Sequence, residues 1–316
     1  MAKQRFVFAG ILMVACIGVS VAKEQQNQGA PFAGIELTTV PVGGRVHMVQ
    51  RPGGGGNVGV FAGPEGVLLV DALFAPLADR LVAAVRGISD GEIRFLINTH
   101  VHPDHIGGNE NLAAQGVLIF AHDNVRVRAL DRLRFPRGGG RFAPRPPDGA
   151  RPIVTYNDTV NFHFNGEEVR AFLAPPAHTD GDTFVYFPDS DVLHLGDVFR
   201  TTSYPIIDVY NGGTLDGTVA ALEMAIAMAG PDTKVIPGHG LRVVGRSGLS
   251  EFLDMIIDVR DQVRRLISEG STLAEVMAAQ PAAAYDAQWG QEASWTANDF
   301  VPIVYHELGG GSLFSP

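Results

Sequence analysis

The sequence predicts an α/β domain in which layered β-sheets lie under helices. Apolar runs of strand length alternate with segments that carry apolar residues at helical spacing, and this succession occurs twice along the chain. In addition, 46% of the 316 residues are hydrophobic and only 18% are charged, so the chain has enough apolar side chains for a large core. No repeat or shift in composition marks a domain boundary between residues 31 and 316.

The first round of elements lies between residues 56 and 133. Its predicted strands are two in GNVGVFAGPEGVLLVDALF (56–74), joined by Gly-Pro-Glu-Gly, one at 94–98 and one at 117–121. Its predicted helices cover 77–88, 109–116 and 122–133, the last with Asp123 or Asn124 as N-cap. The segment 134–152 that follows is rich in Gly, Pro and Arg and has no periodicity, so it predicts a mobile loop that buries little.

The second round begins with a hairpin. TVNFHF (159–164) and VRAFLAP (169–175) flank Asn165-Gly166, a dipeptide typical of two-residue hairpin turns. The later elements are predicted strands at 184–187 and 192–197, a helix at 215–230, and a strand and loop at 234–240. The tail from about residue 247 carries apolar residues along one helical stripe, so we expect a helical C-terminal extension.

The N-terminus has the pattern of a secretory signal. Two basic residues precede the apolar run Phe6–Val19, and a small-x-small cleavage site ends at Ala22. We therefore expect an exported, periplasmic protein whose mature chain, residues 23–316, is one domain. A retained anchor fits less well because the run is short for a membrane span. A lipoprotein signal at Cys16 also fits less well, since apolar residues follow it.

Charge and cysteine content narrow the function. The formal net charge is −10, which opposes binding to nucleic acid or to an anionic membrane surface and favours a small-molecule substrate. Cys16, the only cysteine, lies in the leader, so the mature chain has no disulfide and no thiolate nucleophile or ligand.

The motif THVHPDHIGG (99–108) concentrates metal-ligating residue types at the end of a predicted strand. His100 and His102 alternate, so in an extended segment both project to one face. The next residue is a proline, which ends the strand, and Asp104 and His105 follow on a turn that two glycines allow to bend tightly. Such a set on a loop after a strand predicts a metal site.

Three later segments offer similar residues between strand and loop. PPAHTDGDT contains His178, HLGDVF contains Asp197, and IPGHG contains His239. With the first motif they make five histidines and two carboxylates, a set that suits two adjacent divalent cations. Imidazole ligands favour zinc.

On these motifs the chain resembles the metallo-β-lactamase superfamily. THVHPDHIGG matches its HxHxDH signature, NVGVFAGPEGVLLVDA resembles its opening hairpin with a buried aspartate, and the downstream order His, Asp, His is similar. The resemblance covers roughly residues 45–245. It implies an αββα sandwich of two mixed β-sheets flanked by helices, with the site at one edge.

The resemblance also implies a role for each candidate residue. His100, His102 and His178 would hold one zinc; Asp104, His105 and His239 would hold the second; Asp197 would bridge them; and Asp71 would steady the first motif through hydrogen bonds. Two zincs roughly 3.5–4 Å apart bring the pKa of a bound water toward about 7. The resulting hydroxide would attack a carbonyl carbon while Asp104 orients the water and relays its proton.

We therefore expect a dizinc hydrolase of a carbonyl–heteroatom bond, with β-lactam hydrolysis, and hence antibiotic resistance, as the leading hypothesis. A lactonase or glyoxalase-II-like thioesterase is the alternative, because the same hydroxide serves these substrates. A non-catalytic periplasmic binding accessory is a second alternative, disfavoured because Asp104 is present. An oxygen-reducing diiron protein is also disfavoured, since such relatives carry an acidic residue at the position of His102.

Two residues are candidates for substrate binding by the same resemblance. Secreted β-lactamases with a cysteine ligand have it where Asp197 stands, and keep a lysine that grips the substrate carboxylate where Arg200 stands. Asn211 lies near the position of their polar oxyanion partner. The alternative for Arg200 is an ion pair with a local acid such as Asp208.

Overall fold

The computed structural model describes residues 32–52, 54–136 and 140–309. The predicted signal peptide, residues 1–22, lies outside them. The chain divides into two units, residues 1–36 and the unit from Leu37 onward. Of the first, the described part holds one turn, in which the amide of Ile35 donates to the carbonyl of Phe32. No helix within the described ranges has both the length and the apolarity to cross a membrane.

Two mixed sheets form the centre of the second unit. The first has the strand order β1-β2-β3-β4-β5-β6-β7, antiparallel up to β4 and parallel from β4 to β7. Its strands are β1 (Thr38–Gly43), β2 (Val46–Gln50), β3 (Val58–Gly63), β4 (Gly66–Val70), β5 (Ile93–Ile97), β6 (Leu118–His122) and β7 (Val154–Tyr156).

The second sheet has the order β12-β11-β10-β9-β8, with only β11 and β12 parallel. Its strands are β8 (Thr159–Phe164), β9 (Glu167–Leu173), β10 (Thr183–Phe187), β11 (Val192–His194) and β12 (Lys234–Ile236). Asn165 and Gly166 both have positive φ, 57° and 77°, as the predicted two-residue hairpin turn requires.

Besides short 3-10 turns, nine α-helices with both ends in the described part of the chain lie around the sheets. They are α1 (Ala78–Arg86), α2 (Pro103–Ile106), α3 (Asn109–Ala113), α4 (Asp123–Arg128), α5 (Leu215–Met228), α6 (Arg246–Ser268), α7 (Leu273–Ala279), α8 (Asp286–Trp289) and α9 (Ala297–Glu307). The tail is therefore helical, as predicted. Trp289 and Trp295 are both buried in it, so they pack in the core.

Apolar residues fill the space between the two sheets. Phe61, Leu68 and Ile97 of the first sheet pack in one cluster with Phe164 and Phe187 of the second. A second cluster lies between the other face of the second sheet and helices α5, α6 and α9. Two sheets with apolar faces on both sides need helices to cover them, and the αββα sandwich is confirmed.

Several elements differ from the sequence prediction. Strands β1, β2 and β7 were not predicted, and helix α4 ends at Arg128 rather than near residue 133. The cap of α4 is neither Asp123 nor Asn124: the Nδ1 atom of His122 accepts from the amide of Asn124. The described residues of segment 134–152, which are 134–136 and 140–152, are mostly exposed or half-buried, but Ala150 is buried and its carbonyl accepts from the side chain of Asn109.

Candidate metal centre

The seven predicted ligands meet at one edge of the sandwich. The loop after β5 carries the first motif, Asp197 follows β11, and His239 follows β12, while His178 lies between β9 and β10. Because these strands end at the same edge, residues far apart in sequence come together there. Three overlapping groups have ligand atoms within 4.8 Å of one another: His100, His102 and His178; His100, His105 and Asp197; Asp104, His105 and His239.

Hydrogen bonds fix the proton positions of two histidines in the first motif. Asp71, which is fully buried, accepts from the amide of Thr99 at 2.8 Å and from its hydroxyl at 2.7 Å. The same carboxylate accepts from Nδ1 of His105 at 2.7 Å. Since the hydroxyl of Thr99 donates to Asp71, it accepts from Nδ1 of His100 at 3.0 Å. Both rings thus carry the proton on Nδ1 and leave Nε2 for a metal.

The other two histidines of the trihistidine group are oriented in the same manner. Nδ1 of His178 donates to the carbonyl of Ile206, and Nε2 of His102 donates to the carboxylate of Asp208 at 2.7 Å. The remaining nitrogens, Nε2 of His178 and Nδ1 of His102, then face each other at 2.9 Å with lone pairs only. A cation beside both nitrogens satisfies this pair of acceptors.

Buried polar atoms without a hydrogen-bond partner mark the same place. Among the described residues these atoms include Nε2 of His100, His105 and His239, and Oδ1 of Asp197. Buried polar atoms without partners are rare in native proteins, and these four converge on the groups described above. Nitrogen and carboxylate ligands at this spacing fit divalent zinc.

Asp197 lies between the two halves of the centre. Its Oδ1 is 3.1 Å from Nε2 of His105, and its Oδ2 is 3.2 Å from Nε2 of His239 and 3.7 Å from Nε2 of His178. A Cβ at Gly238 would lie 2.2 Å from Oδ1 of Asp197, so only glycine allows the loop after β12 to approach this closely.

The chain matches the family model of the metallo-beta-lactamase superfamily over residues 51–240, a span that includes all seven ligands. It belongs to that superfamily. The linear primary-alkylsulfatase of a Pseudomonas species is 27% identical over 252 residues, which cover 68% of this chain and 48% of that protein. The type 2 metallo-beta-lactamase of Bacillus cereus is 23% identical over 193 residues, 61% of this chain and 69% of that enzyme.

A solved structure of the inverting sec-alkylsulfatase Pisa1 from Pseudomonas sp. has the same fold, with a TM-score of 0.63 at 17% identity. It covers 87% of this chain, which covers 50% of that structure. This chain therefore spans about half of the length of both alkylsulfatases.

Charge differs between the two halves of this metallo-β-lactamase centre before a metal binds. Burial, together with the neighbouring His105 and His178, lowers the pKa of His100 well below its usual value. Burial and the adjacent His102 lower the pKa of His178 to about 3. The rings of His100 and His178 are therefore neutral at neutral pH, and each can offer a nitrogen lone pair to a cation.

In the other half, carboxylates reverse the effect of burial. Burial lowers the pKa of His105, but Asp197 and Asp71 outweigh it and raise the pKa well above the usual value. Burial and Arg200 lower the pKa of His239, and Asp197 again raises it on balance. A proton on either ring competes with the metal, so a cation must displace it here.

Two cavities open on the centre. The first, of 460 Å³ and called here the apolar cavity, borders ligands of both halves and has Phe135, Phe142 and Ile206 in its lining. The second cavity, of 610 Å³, is lined by the segment around Glu292. Both share Phe74, Asp104 and His239. The side chain of Asp104 is 19% exposed, more than that of Asp197 at 4%, so its carboxylate faces the space where a substrate binds.

Arg200 lies at the centre, but its guanidinium is already engaged. It is 1% exposed, and its Nη1 donates to Oδ2 of Asp197 at 2.7 Å. Nε donates to Ser203 at 2.7 Å, and Nη2 donates to both carboxylate oxygens of Glu292 at 3.2 and 3.3 Å. The predicted grip on a substrate carboxylate does not fit this arrangement. The alternative, an ion pair with a local acid, fits in kind, but the acid is Asp197; Asp208 bonds His102 instead.

The side chain of Asn211 bonds to other protein groups and is not part of the lining of the apolar cavity. Its Nδ2 donates to Oδ2 of Asp208 at 2.6 Å and to the carbonyl of Arg134 at 2.9 Å. It thereby supports the carboxylate that orients His102, a position that does not fit the predicted oxyanion role. Sequence reasoning missed Asp208 as an orienting residue and missed Glu292, because no local motif links either residue to its partner.

Proposed function

We propose that the protein is a dizinc hydrolase that opens a carbonyl–heteroatom bond in a small molecule. The observation that carries this proposal is the convergence of four buried, unpartnered ligand atoms beside the partly exposed Asp104. His100, His102 and His178 would hold one ion, Asp104, His105 and His239 the other, and Asp197 would lie between them. When bound, the ions supply Lewis-acid polarisation and an acidified water.

The residues of the chain supply orientation and proton transfer. Asp104 lies 3.1 Å from Nε2 of His239, and this neighbour together with His105 holds the pKa of Asp104 below its usual value despite burial. The carboxylate is therefore ionised at neutral pH. An ionised carboxylate that borders both cavities can orient a water molecule and accept its proton.

The apolar cavity favours a lactone, ester or thioester with an apolar group. Phe74, Phe135 and Phe142 form part of its wall, and the ring of Phe135 packs against that of His102 with centroids 4.8 Å apart. Because the donors of Arg200 are occupied by carboxylates, that residue does not favour substrates with a carboxylate beside the scissile bond. β-Lactam hydrolysis, with resistance as its consequence, is the second candidate, supported by the likeness to the Bacillus cereus enzyme.

Substrate assays with zinc-loaded protein test this proposal. The panel is nitrocefin, a carbapenem, an acyl-homoserine lactone, a glutathione thioester and, because of the Pseudomonas relative, a linear alkyl sulfate. We expect turnover of the lactone or thioester that Asp104→Asn abolishes. Turnover of nitrocefin alone would favour the β-lactamase, and turnover of the sulfate alone would refute carbonyl chemistry. Two bound zincs without any turnover would favour the binding accessory.

Metal content is tested independently of the substrate. We expect elemental analysis to give about two zinc equivalents per chain, and His178→Ala and His239→Ala to weaken different ions, since the two residues belong to different groups. A metal-replete sample that never exceeds one equivalent would refute the dinuclear centre.

We also propose export to the periplasm with cleavage after Ala22, on the basis of the leader sequence. Mass spectrometry of the protein from a periplasmic extract of the source organism, or of a Gram-negative host, should give a chain that begins at Lys23. A full-length chain retained in the cytoplasm would contradict the proposal.

A further inference from the structure

The helical extension reaches the metal centre through a continuous set of contacts. The amide of Gln291 donates to the carbonyl of Thr202 at 3.3 Å, and Ser203 pairs with Gly290 in an isolated antiparallel bridge. The indole of Trp295, which is 1% exposed, donates to the carbonyl of Pro205. The loop that follows Asp197 is therefore held on one side by the segment between α8 and α9.

Glu292 is the residue of that segment that connects to a proposed metal ligand through Arg200. Both of its carboxylate oxygens accept from Nη2 of Arg200, and one also accepts from the hydroxyl of Thr202 at 3.2 Å. On its other side Arg200 donates to Oδ2 of Asp197. The chain of contacts thus runs from carboxylate to guanidinium to carboxylate, with only Glu292 partly exposed, at 21% of its side chain.

This arrangement leaves Oδ1 as the oxygen of Asp197 that accepts no hydrogen bond. Arg200 donates to Oδ2, which also lies 3.2 Å from Nε2 of His239, whereas Oδ1 lies 3.1 Å from Nε2 of His105. A guanidinium is planar and donates in a fixed fork, so its orientation fixes the plane of the carboxylate that it contacts. Ser203 accepts from Nε and Glu292 holds Nη2 at the far end of the fork, so the two residues together set that orientation, and Glu292 is the charged one.

The negative charge of Glu292 also favours metal binding by Asp197. A buried guanidinium beside two proposed cations repels them unless an anion offsets it, and Asp197 alone cannot both offset Arg200 and bind metal at full strength. Glu292 supplies the second negative charge. Within the described residues, Asp197 and Glu292 are the two carboxylates that pair with Arg200.

We propose that Glu292 is a positioning residue of the metal centre, holding Arg200 so that Asp197 presents Oδ1 to the ions. The proposal rests on the proposed metal-binding function. By this proposal the helical extension contributes a residue to the active site, and Arg200 orients the metal ligand Asp197.

Zinc affinity and a cobalt spectrum test this role without any substrate. Glu292→Gln keeps the shape of the side chain but removes its charge and one acceptor, and Glu292→Asp keeps the charge. The matched control is Glu269→Gln, because Glu269 pairs with Arg265 on the exposed surface of α6. Affinity for each zinc equivalent is measured by chelator competition, below the melting temperature of each metal-free variant. The visible spectrum of cobalt-substituted protein reports ligand geometry.

We expect Glu292→Gln to weaken the more weakly bound zinc about 10- to 100-fold and to alter the cobalt spectrum. Glu292→Asp should recover part of the affinity, and the control should match wild type. Wild-type zinc affinity and spectrum in Glu292→Gln would overturn the proposal, as would an equal loss in the control. If Glu292→Gln does not fold, wild-type binding by Glu292→Asp together with an unchanged spectrum would overturn it.

The outcome is separable from that of the proposed function. A wild-type protein that binds two ions but hydrolyses nothing would refute the hydrolase while leaving the effect of Glu292→Gln measurable. Wild-type protein that binds no divalent ion would refute both.

Discussion

Replacing Asp71 by asparagine should damage one half of the metal centre and spare the other. The carboxylate of Asp71 accepts three hydrogen bonds, two from Thr99 and one from Nδ1 of His105. Asparagine has one oxygen in place of two, and its amide group would face donors. Asp71 has φ of 70°, a left-handed conformation that asparagine tolerates well, so the backbone should not change.

The magnitude follows from the bond that is lost. When Oδ2 is replaced by an NH₂ group, the ring of His105 either leaves its Nδ1 proton unpaired or moves that proton to Nε2, the atom that would bind a metal. Loss of a buried hydrogen bond to a charged group costs about 1.5–3 kcal/mol. For a domain of this size that lowers Tm by about 3–5 °C. Loss of an orienting partner weakens metal binding about 10- to 100-fold.

Chelator competition on metal-free protein measures the effect for each zinc equivalent, and calorimetry measures Tm. Asp208→Asn is the matched variant, because Asp208 orients His102 in the trihistidine group as Asp71 orients His105. We expect each variant to weaken the binding of a different ion. The spectrum of each variant loaded with one equivalent of cobalt would show which of the two sites still binds. Wild-type affinity for both ions in Asp71→Asn would refute the tautomer argument.

Three further predictions address the reaction, the packing of the centre and the cavity. Asp104→Asn should lower kcat about 10²-fold or more while both zincs still bind, and near-wild-type turnover would show that Asp104 has another role. Gly238→Ala should abolish binding of one zinc, measured by elemental analysis, because its Cβ would lie 2.2 Å from Asp197. Phe142→Ala should raise KM for apolar substrates with little change in Tm, since Phe142 is 56% exposed, whereas Leu118→Ala, another exposed position, should leave KM unchanged.

The ligands could be placed from sequence because each follows a recognisable strand. His100, Asp197 and His239 come directly after runs of buried apolar residues, and the ends of those strands meet at one edge of the sandwich. The same strands predicted layered sheets under helices, whereas the αββα sandwich was implied by the resemblance to the superfamily. Strands β1 and β7 could not be predicted from the residue pattern. Strand β1 contains a proline and a glycine, and β7 has only three residues, too few to show a period.

The residues that orient the ligands were much harder to predict. Asp71 was found because it belongs to a motif. The carboxylate that accepts from His102 belongs to Asp208, which is 106 residues away along the chain. Asp208 caps a three-residue helical turn, accepting from the amides of Tyr210 and Asn211. Its local sequence therefore indicates a turn, and only the assembled fold shows that the same side chain also faces a ligand.

Arg200 shows why proximity in sequence does not establish a role in recognition. Its position three residues after Asp197 correctly places a guanidinium beside the metal centre. Recognition of a substrate anion also requires free donors, and the decisive partner, Glu292, is 92 residues later in the helical extension. Moving an arginine away from two carboxylates between which it is buried is unfavourable, because the move would leave unpaired charges in the interior. Selection for an anionic substrate at this site would therefore need a cation elsewhere on the cavity wall. Arg141, which borders the apolar cavity and is exposed, is the first residue to examine.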